Sequence, residues 1–412
     1  MCYYFFRGDI MFKHYNRDQK LVLLGACIYY MGLGGFIFNS QSTVLAAVRT
    51  LYDFPMTKIS LYTTAGYAAQ IFGSMLLGGV IFKLSQPMKK YYFTGMYILS
   101  IVGLVVLAVF ADTPLFYLAR VMIALGVSTI SIIIPYIINQ WIDVNPSSAV
   151  GLSSACAGMG GMVSNPLASF LFSKFTPAKG ILILAAIAVC MMIPAIYLMF
   201  RKPVPEHTQT KAKTATNGGG FEKSTPVFIL IMIIVAGARL PQMFSSYLNM
   251  FSIGNGFSAA FAASLSSILM MGNVTSKFIY GILIDKAGAP KATMVLQTCI
   301  IAGATIFMLM PTSAPGMCIG TLCYGMMAAL SNMGINRLTM AAFGYEGTRK
   351  YQGFLLSMSN AVVAVSSPMV GIMYDRTGSF TSFFVMIITV QIICFVATYV
   401  LAKVRLGTPQ KA

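Results

Sequence analysis

Apolar runs of about 20 residues recur along nearly the whole chain, separated by short polar turns. A helix of that length crosses the hydrocarbon core of a bilayer, so this pattern alone restricts the chain to a polytopic membrane fold. The runs are unbroken and rich in Leu, Ile, Met, Ala and Gly, which excludes a membrane β-barrel with its alternating ten-residue strands. Charged residues make up 9% of the chain, against roughly 25% in a soluble domain, too few to cover a water-facing surface. Twelve spans are predicted, near 21–47, 59–82, 91–111, 115–138, 149–172, 180–200, 226–251, 258–283, 292–310, 315–338, 353–374 and 380–402.

The balance of 28 Lys+Arg against 10 Asp+Glu, net +18, would point to a nucleic-acid partner in a soluble protein. Position decides otherwise. With the N-terminus inside, 20 of these cations fall on the cytoplasmic side and only Arg49, Lys58, Lys174, Lys179 and Arg376 on the outer side. This positive-inside asymmetry places both termini and the loop between spans six and seven in the cytoplasm, in a cell (inner or plasma) membrane. The expected surroundings are a lipid bilayer and a small solute, with no nucleic acid, and the expected state is a monomer. Met1 to Lys20 has no small-residue cleavage site of a signal peptide, and Met11 competes with Met1 as the start.

The chain repeats itself at an offset of 202 residues: Gly79 with Gly281, Gly151 with Gly353, Pro166 with Pro368, Lys174 with Arg376, Arg201 with Lys403. Each pair falls at an equivalent place in a six-span half. The expected fold is all-α, with twelve transmembrane helices in two six-helix pseudo-repeats around a central cavity, an architecture of secondary transporters. The expected organisation is a cytoplasmic N-terminal segment 1–20, a bundle 21–200, a linker 201–225, a second bundle 226–402 and a tail 403–412. The linker carries Lys211, Lys213 and Gly218-Gly219-Gly220.

Three cations remain inside spans: Arg120, Arg239 and Lys277. All ten acids lie in loops or at helix ends, and both histidines, His14 and His207, lie in cytoplasmic segments. No acid–base pair, metal set or cofactor motif therefore exists within the membrane, and no enzyme, metal, cofactor or disulfide is expected. Cations without anions in a low-dielectric cavity are costly, and an incoming anion recovers that cost. Each also has a structural reading. Lys277 can snorkel toward the cytoplasmic end, Arg120 can neutralise a helix dipole, and Arg239, too deep to snorkel, can bond backbone carbonyls near Pro241. Asn39, Gln41, Tyr67, Gln70, Tyr136, Tyr324, Ser359 and Asn360 are candidate polar lining, though helix packing or an interhelical hydrogen bond is the more ordinary role for each. Gly32 to Gly35 and Gly158 to Gly161 would let helices approach closely.

The stretch Gly281-Ile282-Leu283-Ile284-Asp285-Lys286-Ala287-Gly288 with Lys291 resembles the loop signature of the major facilitator superfamily, between spans eight and nine. The resemblance implies a conformational latch of Gly281, Asp285, Lys286, Gly288 and Lys291. The first-half copy, Gly79 to Lys83, is degenerate and has Lys83 where the acid belongs. Trp141 ahead of the Gly151 to Gly161 stretch, and Gly371 to Phe380, are similar to the oxalate/formate antiporter and monocarboxylate transporter families. Those families place an arginine four residues before the signature glycine, and Lys277 stands there. Where proton-coupled relatives have an acid one turn earlier, this chain has Asn273; where the antiporters have a lysine, near Ser359 and Asn360, it has none, and Arg239 is the substitute cation. The resemblance implies a secondary active or facilitative carrier of small organic anions, mono- or dicarboxylates, working by alternating access as an anion exchanger. The alternatives are a proton-coupled monocarboxylate symporter and an exporter of larger amphipathic organic anions.

Overall fold

The computed structural model describes residues 15–73, 84–128, 130–142, 146–202 and 225–406, and every regular element among them is helical. Span one runs from Arg17 to Tyr52. Asn16 starts it with a reciprocal cap: its side chain accepts the Gln19 N–H at 2.9 Å, and the Gln19 side chain accepts the Asn16 N–H at 3.0 Å. The span widens to π-helical turns over Tyr30–Asn39, within which the Gly32 to Gly35 run lies. Span two is Met56–Phe72, span three Gln86–Phe110, and span four Leu115–Ser128 continued by Ile130–Trp141. Span five is Pro146–Lys174 and span six Pro177–Met199. Span seven is Thr225–Arg239, continued by a 3₁₀ segment Leu240–Ser246 and a short helix Leu248–Gly254. Span eight is Ala259–Ala287 and span nine Ala289–Leu309. Span ten begins at Ala314–Gly325, and span twelve is Thr381–Leu406. Seven of the described helices are long and apolar enough to cross a membrane.

The predicted loop between spans ten and eleven, residues 339–352, is helical instead, within Ile335–Thr377. The segment is rich in helix formers such as Ala341, Ala342, Arg349 and Lys350 and holds no proline. Phe228 of span seven packs against both Phe343 and Tyr351 of this segment, at 6.0 and 5.3 Å between ring centroids. Residues 203–224 of the predicted linker, the degenerate Gly79 to Lys83 copy and the side chain of Tyr136 lie outside the described residues.

The two glycine runs meet. A Cβ on Gly35 would stand 2.5 Å from the Gly160 Cα, so spans one and five touch backbone to backbone. Gly272 of span eight and Gly325 of span ten form a similar contact. The first six spans meet the last six chiefly where span two packs along span eleven and span five along span eight. Hydrogen bonds join the halves: Ser367 Oγ to the Ser60 carbonyl at 2.9 Å, Ser267 Oγ to the Met162 carbonyl at 2.9 Å, and, between spans one and eight, Ser42 Oγ with Ser266 Oγ at 3.1 Å. At the end that carries both termini, Lys202 pairs with Asp18 at 2.7 Å. At the opposite end, Asp375 accepts the N–H groups of Met56 and Thr57, at 2.9 and 2.8 Å, and the Thr57 hydroxyl.

Candidate substrate-binding site

Span seven changes its winding directly after Arg239, and Pro241 is the cause. Proline has no N–H for the carbonyl four residues back, Gly237, and its ring crowds that carbonyl. Gln391 of span twelve supplies the missing donor, its Nε2 reaching the Gly237 oxygen at 2.7 Å. The carbonyl of Pro241 is taken by the Tyr324 hydroxyl at 2.9 Å. The break is thus satisfied by side chains from two other spans, and Arg239 is presented at its rim.

The Arg239 guanidinium is held in place by amides. Its Nε and Nη2 both donate to Asn360 Oδ1, at 3.3 and 3.0 Å, and its Nη1 donates to Gln242 Oε1 at 2.7 Å. These partners fix the planar group without cancelling its charge. Tyr67 of span two comes within electrostatic range of Arg239 from the first half of the chain. Tyr67 is 3% exposed, and Gln70, one turn on, is also buried. Ser359 and Asn360, adjacent on span eleven, are both buried. Asn360 thus meets Arg239 directly, and Tyr67 lies within its electrostatic range.

Arg120 of span four has a different setting. It is 3% exposed, with its guanidinium 5.1 Å from the Phe38 ring centroid and 5.4 Å from that of Tyr62. Gly66 of span two makes the space: a Cβ there would stand 2.3 Å from Arg120 Nε. The Nε and Nη1 atoms are buried and make no hydrogen bond. Leaving a buried donor unfilled costs about 1–3 kcal/mol, more when charged, and cation–π contacts of about 2 kcal/mol offset only part of it. The Tyr62 hydroxyl donates to Gln41 Oε1 at 2.9 Å, and Gln41 Nε2 to the Ile37 carbonyl at 3.0 Å. Tyr247 of span seven bonds Ser367 at 3.1 Å and lies within electrostatic range of both Arg120 and Tyr67.

Lys277 reaches with its Nζ the Ser154 carbonyl at 3.4 Å across the interface of spans five and eight, with Cys156 within electrostatic range. One turn before it, Asn273 holds a buried side-chain oxygen without a hydrogen-bond partner. Several other expected lining residues are occupied within the protein. Asn39 Nδ2 donates to the Ala157 carbonyl at 2.9 Å, clamping spans one and five, and Tyr324 holds the Pro241 carbonyl among Phe244 and Phe307. Residues the sequence reading passed over are Gln242, Phe38, Tyr62 and Tyr247. Only Gln242 had a local signal, its i+3 spacing from Arg239.

At the expected latch, Gly288 alone joins spans eight and nine, with φ +81°, its N–H on the Ile284 carbonyl at 2.9 Å and its own carbonyl taken by the Ala292 N–H at 3.1 Å. Lys286 and Lys291 are exposed, Gly281 has open space beside it, and the Asp285 side chain lies outside the described residues. Toward the opposite end a cavity of about 710 Å³ lies between spans one, five, seven and eight, lined by Thr43, Thr50, Pro166, Phe170 and Asn249 among others, and none of the intramembrane cations borders it. Among the described residues, no three His, Cys, Asp or Glu gather as a metal site.

Comparison with known proteins places this arrangement. Solved structures of the nucleoside transporter NupG superpose with TM-scores of 0.73 and 0.69 at 15% identity, the first covering 92% of this chain and 99% of that one. The xylose transporter XylE from E. coli, in a partially occluded inward-open conformation, superposes with a TM-score of 0.71 at 11% identity, covering 93% and 98%. At such identities the likeness is one of fold. A curated relative, the MFS-type transporter pytF of Aspergillus terreus (strain NIH 2624 / FGSC A1156), is 22% identical over 151 residues, 37% of this chain and 50% of that protein, so the match spans half the relative's length. The family model of the Major Facilitator Superfamily matches residues 22–349, and the chain belongs to that superfamily.

Proposed function

We propose that this chain is a carrier of small organic anions, working by alternating access between the two halves of the bundle. The observation that carries the reading is the Arg239 guanidinium, set at a proline break in mid-span and oriented by the neutral Asn360 and Gln242. No Asp or Glu occurs within any predicted span. A planar cation held by its edges is suited to a carboxylate, which it can meet in two parallel hydrogen bonds. The oxalate/formate antiporter and monocarboxylate transporter likeness around Trp141 and Lys277 supports the same class.

Anion exchange is the mode this charge pattern favours. Positive charge in the site penalises the return of an empty carrier through the apolar barrier, and a bound anion removes the penalty. Asn273, where proton-coupled relatives place an acid, cannot carry a proton, so a symporter is the second reading. The protein sits as a monomer in a cell membrane with both termini cytoplasmic, in line with the lysine and arginine bias. Gly281, Asp285, Lys286, Gly288 and Lys291 act as the latch on that side, while Lys277 and Arg120 add positive potential along the path.

A melting screen of the purified protein against carboxylates, nucleosides and sugars tests the substrate class, because a ligand of the folded state raises the melting temperature by mass action. A carboxylate that raises it in the wild type and not in Arg239→Gln supports the reading. Stabilisation by neutral solutes alone contradicts it.

A further inference from the structure

The buried Arg120 and the half-buried Arg239 lie beside neighbouring residues of one helix. On span two, Gly66 opens the space filled by Arg120, and Tyr67, the next residue, lies within electrostatic range of Arg239. One residue of helix rises about 1.5 Å, so both cations meet span two at nearly the same depth, one carried by the fourth span and the other by the seventh. Arg239 is already oriented by Asn360 and Gln242. Arg120 is not: its Nε and Nη1 are buried and unfilled, and its neighbours are the rings of Phe38 and Tyr62 and the methylene-sized gap of Gly66. A structural arginine at full burial would be expected to place its donors on carbonyls. Tyr247, within electrostatic range of Arg120 and Tyr67, is tied through Ser367 to the Ser60 carbonyl of span two.

We propose that Arg120 and Arg239 take the two acidic groups of a single substrate, making the cargo a dicarboxylate that bridges the halves of the carrier. The inference rests on the reading of Arg239 as the anion site and adds its partner. It also explains why binding would promote closure. Each half contributes one cation, the two repel in the empty site, and a dianion satisfies both only when the halves are together. Monocarboxylates fill Arg239 and leave Arg120 with its donors open.

The test is calorimetric or melting-based binding to the full-length protein, using malonate, succinate, glutarate and adipate, each paired with its mono-methyl ester. The expected result is that at least one diacid binds about tenfold tighter or more than its own half-ester, and that this ratio falls below about threefold in Arg120→Gln while Arg120→Lys recovers part of it. The wild-type ratio needs no variant, so the test stands even if Arg120→Gln does not fold. Equal binding of diacid and half-ester in the wild type, still lost in Arg239→Gln, overturns the dicarboxylate and leaves the anion site. No binding of either, or binding indifferent to Arg239→Gln, overturns the anion site itself.

Discussion

The carboxylate of Asp375 accepts the backbone N–H of Thr57 at 2.8 Å, joining positions 318 apart in the chain and on different halves of the bundle. With the Met56 N–H at 2.9 Å and the Thr57 hydroxyl, it caps the first turn of span two from the end of span eleven. Arg49 stands over the neighbouring Tyr374 ring at 5.5 Å and is the charged group facing the carboxylate. A cap borrowed from the other half acts as a clasp on the end away from the termini. It can hold only when that end is shut.

Burial alone would raise the Asp375 carboxyl, but the Thr57 hydroxyl, the Thr57 and Met56 N–H groups and Arg49 outweigh it and hold the group below its ordinary value. The clasp is therefore fully made above the ordinary carboxylate range and is lost as pH falls through the depressed value. Asp375→Asn mimics the protonated state and should weaken closure by about 1 kcal/mol. Spin labels at Asp112→Cys and Ser379→Cys, in a Cys190→Ser background, should show a larger long-distance population in Asp375→Asn at neutral pH, and in the unsubstituted clasp only in strong acid. An unchanged distance distribution would remove the clasp from the cycle.

Gly66→Ala places a methyl 2.3 Å from Arg120 Nε, with the Arg120 Cγ and Cδ at 3.0 Å, so the stem as well as the head must move. Overpacking of this kind costs about 1–3 kcal/mol. A lower melting temperature together with weakened anion binding is expected. Wild-type binding in Gly66→Ala would show that the Arg120 position is not critical.

Gln391→Leu removes the donor from the Gly237 carbonyl beneath Pro241. The orphaned carbonyl costs about 1–3 kcal/mol and frees the segment that presents Arg239. Thermal unfolding should shift downward, and anion affinity should fall with it. Gln391→Glu, which supplies no amide donor, is expected to behave at least as badly.

The fold was largely legible because its signals are repetitive: twelve apolar runs and a 202-residue offset. The site was legible only where chemistry is rare. Arg239 stands out as a deep cation in any reading, and Asn360 was named as lining before its contact with Arg239 was visible. The bond of Tyr324 to the Pro241 carbonyl is not legible locally, because nothing near either residue in sequence shows that the two come within reach. Asp375 read as a helix-end residue, since its partners Met56 and Thr57 become neighbours only through the packing of span two on span eleven. Arg120 is intermediate, visible as a charge in a span, while its unfilled donors depend on the gap at Gly66.

The most direct test of anion exchange through Arg239 is uptake of labelled carboxylate into proteoliposomes, with and without the same carboxylate preloaded inside. The predicted result is uptake at least about tenfold faster into preloaded vesicles, insensitive to an imposed pH gradient and absent in Arg239→Gln. Equal uptake into empty vesicles driven by inward protons, or full exchange in Arg239→Gln, would contradict it.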